Sequence, residues 1–318
     1  MEQSEILKRV EEYKNKGYDP TISTSSCIGT GGFTCDVCEE HNDGWSIGVS
    51  NKKGNTLNYV CSECFKLFFP LYKVKKILIT AGGTKEYIDG VRVLTNISSG
   101  KLAYQIYRKF DDCNNDLSRR RINPVPLFEI YYVYVKGSFG AEKEKPFSWN
   151  NKHAHLYEVT DVNSVYDVME KLVPDMDVVI HPMAVSDFGF KPIHTKLKSN
   201  DPEAFIESLK KRIYQTPKIL SHIKKWNPNC FLISFKFENG LNNEDLINTA
   251  FESLYKNDCD LVIANDKDEI KRVGDHISYF IHKKDNIGDN IIYKDIMFKV
   301  VTGKDYISQE IFETVNNI

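Results

Sequence analysis

The segment KKILITAGGT, Lys75 to Thr84, carries the reading of the fold. Ile77, Leu78 and Ile79 make a short apolar run of the kind found in strands buried on both faces. The run ends in Gly82-Gly83, a turn in which no Cβ keeps other groups from the backbone. Strand and helix patterns then alternate. FEIYYVYVKG (Phe128 to Gly137) reads as a strand, SVYDVMEKLV (Ser164 to Val173) as a helix and DMDVVIHPMAV (Asp175 to Val185) as another buried strand. TPKILSHIKKW (Thr216 to Trp226) reads as a helix, CFLISFKFE (Cys230 to Glu238) as a strand, EDLINTAFESLYKN (Glu244 to Asn257) as a helix and DLVIAND (Asp260 to Asp266) as a strand. SYFIHKK and IIYKDIM predict a terminal hairpin, followed by a last helix from about Lys304, while the polar run DDCNNDLSRRRIN (Asp111 to Asn123) reads as an exposed loop. The order predicts an α/β fold, a doubly wound and mostly parallel sheet with helices on both faces, whose ligands bind beyond the carboxyl ends of the strands.

Upstream of this domain the texture changes. Residues 1–20 read as a short amphipathic helix, with Ile6, Leu7, Val10 and Tyr13 at helical spacing and Gly17 and Pro20 ending the run. Residues 21–72, rich in Gly, Ser, Asn and Cys, read as a small separate module, and residues 73–318 as the α/β domain. The module holds Cys35-Asp-Val-Cys38 and Cys61-Ser-Glu-Cys64, with 22 residues between the pairs and Trp45, Ile47, Val49 and Tyr59 in strand-like alternation. A CxxC turn lets two sulfurs approach one ion, and the intervening hairpin brings the second pair alongside. Cys35, Cys38, Cys61 and Cys64 are therefore expected to hold a tetrahedral, structural Zn²⁺ in a zinc-ribbon-like module. Cys27 and His41 are competing ligands. A segment this small has too little core to fold unaided, so the metal would stabilise it directly. A closed site of four thiolates has no open position for catalysis, and two CxxC pairs argue against a thioredoxin-like redox role. Cys113, Cys230 and Cys259 read as small buried apolar residues.

The charge balance, 42 Lys+Arg against 44 Asp+Glu for a net charge of −2 over 318 residues, excludes a broadly basic nucleic-acid binder. No apolar run approaches the roughly 18–20 residues needed to cross a bilayer, and a cytoplasmic protein is expected.

The stretch AGGTKEYIDGVRVLTNISSGKLA, Ala81 to Ala103, strongly resembles the phosphopantothenate–cysteine ligases, also called phosphopantothenoylcysteine synthetases, in their stand-alone bacterial form. It contains that family's glycine-glycine-threonine turn, its valine-arginine pair and its Asn-x-Ser-Ser-Gly run. HPMAVSDF (His181 to Phe188), TKLKS (Thr195 to Ser199), TPKIL (Thr216 to Leu220), LISFKFE (Leu232 to Glu238) and IAND (Ile263 to Asp266) are similar to further family motifs in the same order. Nothing before about residue 70 takes part in the resemblance.

The resemblance implies a Rossmann-like domain that activates a carboxylate. 4′-Phosphopantothenate attacks the α-phosphate of CTP or ATP, pyrophosphate leaves, and the amine of L-cysteine attacks the acyl-nucleotide, with Mg²⁺ offsetting the triphosphate charge. Gly82, Gly83, Ser98 and Gly100 match the phosphate cradle, and Asn96 matches the amide that binds the substrate carboxylate and the acyl intermediate. Arg92 matches an arginine sent to the substrate phosphate of a neighbouring subunit, which implies a homodimer. Met183, Ala184 and Asp187 match the strand end that lines the substrate pocket, and Lys196 matches a mobile lysine that stabilises the pentavalent α-phosphate, with Lys198 close by. Lys218, Phe235, Lys256 and Asn265 match positions beside the nucleotide.

Taken alone, the residues carry blander readings as well: a glycine-serine loop without a ligand, a turn-capping Asn96, a surface Arg92, solvated lysines and a core Phe235. Two other functional classes compete with a ligase. One is a non-catalytic nucleotide-binding or zinc-ribbon interaction protein on the same fold. The other is a nicotinamide or flavin oxidoreductase, which the GGT turn fits poorly because it lacks GxGxxG spacing.

Overall fold

A computed structural model describes residues 2–18, 24–28, 33–42, 45–51, 53, 55–61, 64, 67, 74–119, 127–140, 153–193, 195–197, 200–283, 291–293 and 296–318. They form two compact units, Met1–Val74 with Asp112–Leu127, and Lys75–Asp111 with Phe128–Ile318.

In the smaller unit the helix Gln3–Asn15 precedes β1 (Thr24–Ile28), β2 (Phe33–Thr34), β3 (His41–Asn42), β4 (Trp45–Ser50) and β5 (Thr56–Val60). β1, β4 and β5 make an antiparallel sheet, and β2 pairs with β3. Val10 on the helix is buried in one cluster with Val37, Val49, Leu57, Val60 and the four paired cysteines. Arg9 fastens the helix there, donating to the Val37 carbonyl at 3.0 Å and pairing with Glu39.

The larger unit is built on β6 (Lys75–Ala81), β7 (Lys85–Tyr87), β8 (Val93–Thr95), β9 (Phe128–Val135), β10 (Ala154–Val159), β11 (Val178–His181), β12 (Phe188–Phe190), β13 (Ile213–Gln215), β14 (Phe231–Glu238), β15 (Leu261–Asp266), β16 (Ile277–His282), β17 (Ile291–Tyr293) and β18 (Ile296–Thr302). Nine of these form one sheet in the order β10-β9-β6-β11-β14-β15-β16-β18-β17. The pairs from β10 to β15 are all parallel, and those from β15 to β17 antiparallel. The fold is therefore the Rossmann-like doubly wound sheet, and the chain winds outward in opposite senses from the central pair β6 and β11. Such a reversal leaves a crevice at the carboxyl ends of those two strands.

Burial explains why these strands form. β6 and β11 are covered on both faces, which is why their apolar residues run on rather than alternate. On one face Leu78, Val133, Val179 and Leu232 pack under Val165 and Met169 of helix Val162–Leu172, Ile223 of helix Leu220–Trp226, and Leu246 and Ala250 of helix Asn243–Lys256. On the other face Phe110 of helix Lys101–Arg119, Phe128 of β9 and Phe312 of helix Lys304–Asn316 meet with ring centroids 4.9–5.9 Å apart.

Three expectations need correction. The polar run from Asp111 is not a loop where it is described: helix Lys101–Arg119 continues through it. Asp111 and Asn114 are buried and Asn114 Oδ1 accepts from Leu127 N at 3.1 Å, so tertiary contacts override the weak helix propensity of Asp and Asn. Residues 120–123 lie outside the described set. The TPKIL segment is helical only from Leu220, because Thr216 is tied to the β11–β12 connection, through its N–H to the Asp187 carbonyl and its hydroxyl to that of Ser186. IIYKDIM contributes to two strands, and it is β18, not β17, that pairs with β16.

Leu78 is fully buried between the central strand ladder and its covering helices. Leu78→Ala should lower unfolding stability by about 2–5 kcal/mol in a urea titration.

Candidate active site

The crevice is built on backbone contacts that only glycine permits. Ala184 N donates to the Gly82 carbonyl at 2.9 Å and Thr84 N to the Ala184 carbonyl at 3.1 Å, so Gly83 and Ala184 extend the β6–β11 ladder by one parallel bridge. Gly82 has φ +92°, and a Cβ there would lie 2.1 Å from Ser138 Oγ; one on Gly83 would lie 2.3 Å from the Asn96 carbonyl oxygen. The Asn96–Ser99 loop thus rests directly on the glycine turn. Ser98 N donates to the Asn96 carbonyl at 2.9 Å and Phe139 N to that of Ser99 at 2.8 Å. Gly100, at φ +74° and packed against Gly82, then starts helix Lys101–Arg119.

Of the residues singled out in the sequence, Asn96, Met183, Ala184, Asp187, Lys218, Phe235 and Lys256 line one cleft of about 1060 Å³. Gly82 and Gly83 are not in its lining but are bridged to Ala184, which is, and Ser98 and Gly100 follow Asn96 in the adjoining loop. Asp187 and Lys218 form an ion pair in which each side chain is 59% exposed. Solvent screening makes such a pair weak, so the ammonium can turn to a bound anion at little cost. Lys256 sits in the last turn of helix Asn243–Lys256, where a cation complements the helix dipole.

Three residues stand apart from the cleft lining. Asn265 is buried at the end of β15, its amide 3.5 Å from His276 Nδ1. Lys196 is exposed, and Lys198 is outside the described residues. Arg92 is held inside a latch. Its guanidinium pairs with Asp89, donates to the Leu197 carbonyl at 3.2 Å and lies 5.4 Å from the Phe205 ring centre. Burial tends to raise the Asp89 pKa, but the N–H groups of Val91, Leu197 and Arg92 and the Arg92 guanidinium outweigh it, bringing it down to about 2. The latch therefore fixes the backbone next to Lys196.

Sequence reasoning passed over three polar side chains beneath the cleft: Thr80, His181 and Ser234. Thr80 Oγ1 lies 2.9 Å from His181 Nδ1. Burial drives the His181 pKa down to about 4. The one available signal was a histidine closing an otherwise apolar strand run, a position more often read as core.

In the smaller unit the sulfurs of Cys35, Cys38, Cys61 and Cys64 lie within 4.8 Å of one another, all buried. Tetrahedral Zn–S bonds of about 2.3 Å place sulfurs about 3.8 Å apart, a spacing this cluster fits. Cys35 Sγ also accepts from the N–H groups of Val37 and Cys61, at 3.4 and 3.3 Å. Contact with Cys61 and Cys64 holds the Cys35 thiol pKa down, and the same contact pushes theirs up. Four thiolates can coexist there only around a cation. The side chains of Cys27 and His41 are outside the described set.

Comparison with known proteins places this geometry. The chain is 29% identical over 243 residues to the coenzyme A biosynthesis bifunctional protein CoaBC of Methanocaldococcus jannaschii, covering 76% of this chain and 51% of that one. The chain thus spans about half the length of that relative. A solved DNA/pantothenate metabolism flavoprotein from Streptococcus pneumoniae superposes with a TM-score of 0.59 at 26% identity, over 77% of this chain and 99% of that one. A Cab2 variant solved with phosphopantothenate-cysteine shares the fold, with a TM-score of 0.56 at 15% identity over 80% of this chain and 90% of that one. Residues 72–116 and 144–297, well over half of the chain, match the family model described as DNA/pantothenate metabolism flavoprotein C-terminal domain, and the chain belongs to that family.

Proposed function

We propose that residues 73–318 form a phosphopantothenate–cysteine ligase, which activates 4′-phosphopantothenate with CTP or ATP and joins it to L-cysteine in coenzyme A biosynthesis. One observation carries the reading: Asn96, the glycine turn and the Met183–Asp187 strand end, separated in sequence, meet at a single cleft at the sheet's switch point. The name of CoaBC agrees with a place in coenzyme A biosynthesis, and the Cab2 complex was solved with phosphopantothenate-cysteine.

The reaction asks for two displacements. A carboxylate oxygen of the substrate attacks the α-phosphorus, and the bond to the β-phosphate breaks to release pyrophosphate. The cysteine amine then attacks the acyl carbon, forms the amide bond, loses a proton and expels the nucleoside monophosphate. Gly82, Gly83, Ser98 and Gly100 form the turn and loop that lead into helix Lys101–Arg119, whose N-terminal end favours the negative charge of the phosphates. Lys196 neutralises charge at the α-phosphate, and the Asn96 amide donates to the oxygen that gains charge on the acyl group. Mg²⁺, when bound with the nucleotide, would lower the charge repulsion met by the attacking carboxylate. Lys218, Phe235 and Lys256 hold the nucleotide, while Met183, Ala184 and Asp187 bound the substrate; Asn265, buried at the end of β15 apart from this lining, acts on the nucleotide from behind the cleft wall. Arg92 serves the substrate of a second copy, as the family resemblance implies; Nη1 makes both described hydrogen bonds of the guanidinium and leaves Nη2 for a phosphate. A homodimer would cover Val91, Val93, Leu94 and Ile97, apolar residues exposed on and beside the β7–β8 hairpin, with Ile97 97% exposed. The protein acts in the cytoplasm, and residues 21–72 are a module stapled by structural Zn²⁺.

The direct test is a mass-resolved assay with 4′-phosphopantothenate, L-cysteine and Mg²⁺, run separately with CTP and with ATP. Product with either nucleotide is expected, and neither product nor pyrophosphate with both would remove the reading. Asn96→Asp should fold normally yet stall after activation, releasing pyrophosphate without amide; turnover like that of the parent would take Asn96 out of the mechanism.

Asp89→Ala frees the Lys196 loop and should lower turnover roughly ten- to hundredfold. The Asp89 carboxyl is depressed in the folded protein to about 2 from the ordinary 3.8, so its contribution to stability is present above the ordinary value. It is lost as pH falls through the folded value. The parent chain should therefore shed this contribution in acid unfolding between those two values, and Asp89→Ala should show no such step.

Elemental analysis of protein purified without chelator should find one zinc per chain. A Cys38→Ser variant should lose it and unfold the smaller unit, seen as early proteolysis there; a parent protein without stoichiometric zinc would refute the site.

A further inference from the structure

Thr80, His181 and Ser234 take no part in the ligation steps above, yet they form one polar row under the cleft. They stand side by side on β6, β11 and β14, since Ile79 pairs with Ile180 and His181 with Ser234 across the parallel ladders. Their exposures are 0%, 6% and 1%. Groups buried so deeply in a sheet interior require hydrogen-bond partners.

The Thr80 hydroxyl fixes the state of the imidazole. Thr80 Oγ1 accepts from Met183 N at 3.3 Å, so its own proton needs an acceptor, and among the described residues that acceptor is His181 Nδ1 at 2.9 Å. A neutral imidazole accepting at Nδ1 carries its proton at Nε2. Burial disfavours the charged ring, so the neutral form prevails. The ring lines the cleft, and its Nε2 makes no hydrogen bond to a described residue. Beside it, Ser234 Oγ is buried with no hydrogen-bond partner among the described residues. The Cys259 thiol lies next to that hydroxyl but not in bonding geometry. A directed donor thus lines the cleft, and on the adjacent strand, in a residue of the same lining, sits a buried hydroxyl.

We propose that His181 and Ser234 are specificity-determining residues, an uncharged floor that hydrogen-bonds the base or ribose of the bound nucleotide rather than its phosphates. The division follows from chemistry. Phosphates are served by the glycine turn and by exposed Lys218 and Lys256, whereas a neutral donor in apolar surroundings suits an uncharged acceptor. The proposal rests on the ligase reading only in taking the ligand to be a nucleoside triphosphate.

Three measurements test it on the full chain. Long-range ¹⁵N–¹H correlation of the histidine rings at neutral pH should give His181 as the neutral form protonated at Nε2; an Nδ1–H tautomer or an imidazolium would overturn the assignment. Ser234→Ala removes a buried hydroxyl with no hydrogen-bond partner among the described residues, so its melting temperature should equal or exceed that of the parent. Its calorimetric affinity for the accepted nucleotide, CTP or ATP, should weaken about five- to tenfold, the usual loss for one hydrogen bond. Inorganic tripolyphosphate, which has no nucleoside, should bind parent and variant alike. A destabilised variant with unchanged nucleotide affinity would assign Ser234 to the core, and equal losses for nucleotide and tripolyphosphate would also refute the proposal. If nucleotide binds as expected but no ligation occurs, the ligase reading falls and this one stands. If no nucleotide binds, both fall.

Discussion

The parallel bridge between Gly83 and Ala184 is the contact on which the rest of the larger unit's site depends. It prolongs the central ladder at the point where the winding of the sheet reverses and the two strands would otherwise diverge. Both glycines are required for it on steric grounds, because a Cβ at either position meets Ser138 Oγ or the Asn96 carbonyl at well under contact distance. The same absence of side chains brings the Asn96 loop down onto the turn and lets Gly100 start the next helix against Gly82. Local glycine chemistry, topology and site geometry are here one constraint.

Charge is distributed around that constraint in two ways. The buried Asp89 carboxylate is satisfied by backbone donors and one guanidinium, a set that holds a loop in place across ordinary pH. The Asp187–Lys218 pair is exposed and screened, a set that holds little and yields easily. A site that must admit a polyanion and release pyrophosphate is better served by the second kind near the ligand and the first kind behind it. Below both lies the uncharged Thr80–His181–Ser234 row, where a charge would cost most.

Much of this was legible in the sequence because the decisive signals are local. KKILITAGGT gave β6 and its turn, and the run DVVIH gave β11, since a strand covered on both faces must be apolar throughout. The residues gathered in the cleft were legible through ordered motifs rather than periodicity. Signals that depend on distant partners were not. Asp111–Arg119 looked like a loop because helix propensity is local, while the burial of Asp111 and Asn114 is tertiary. The Asp89–Arg92–Leu197 latch joins residues over a hundred positions apart, and His181 looked like an ordinary strand end because its partner Thr80 is on another strand.

The smaller unit shows how differently a short segment is stabilised. Its described apolar cluster consists of Val10, Val37, Val49, Leu57 and Val60 with the four cysteines, so sulfur makes up a large share of what the core contains. Hydrophobic burial of so few side chains does not offset the chain entropy of ordering the segment. Thiols cannot close the gap by hydrogen bonding among themselves, because S–H is a weak donor and ionising one opposes ionising the next. A divalent cation held by the four sulfurs would reverse that opposition, turning mutual repulsion of thiolates into four bonds. Because Val10 of the first helix belongs to the same cluster and Arg9 is tied to Val37, a metal bound there would stabilise the helix and the cysteine knuckles together.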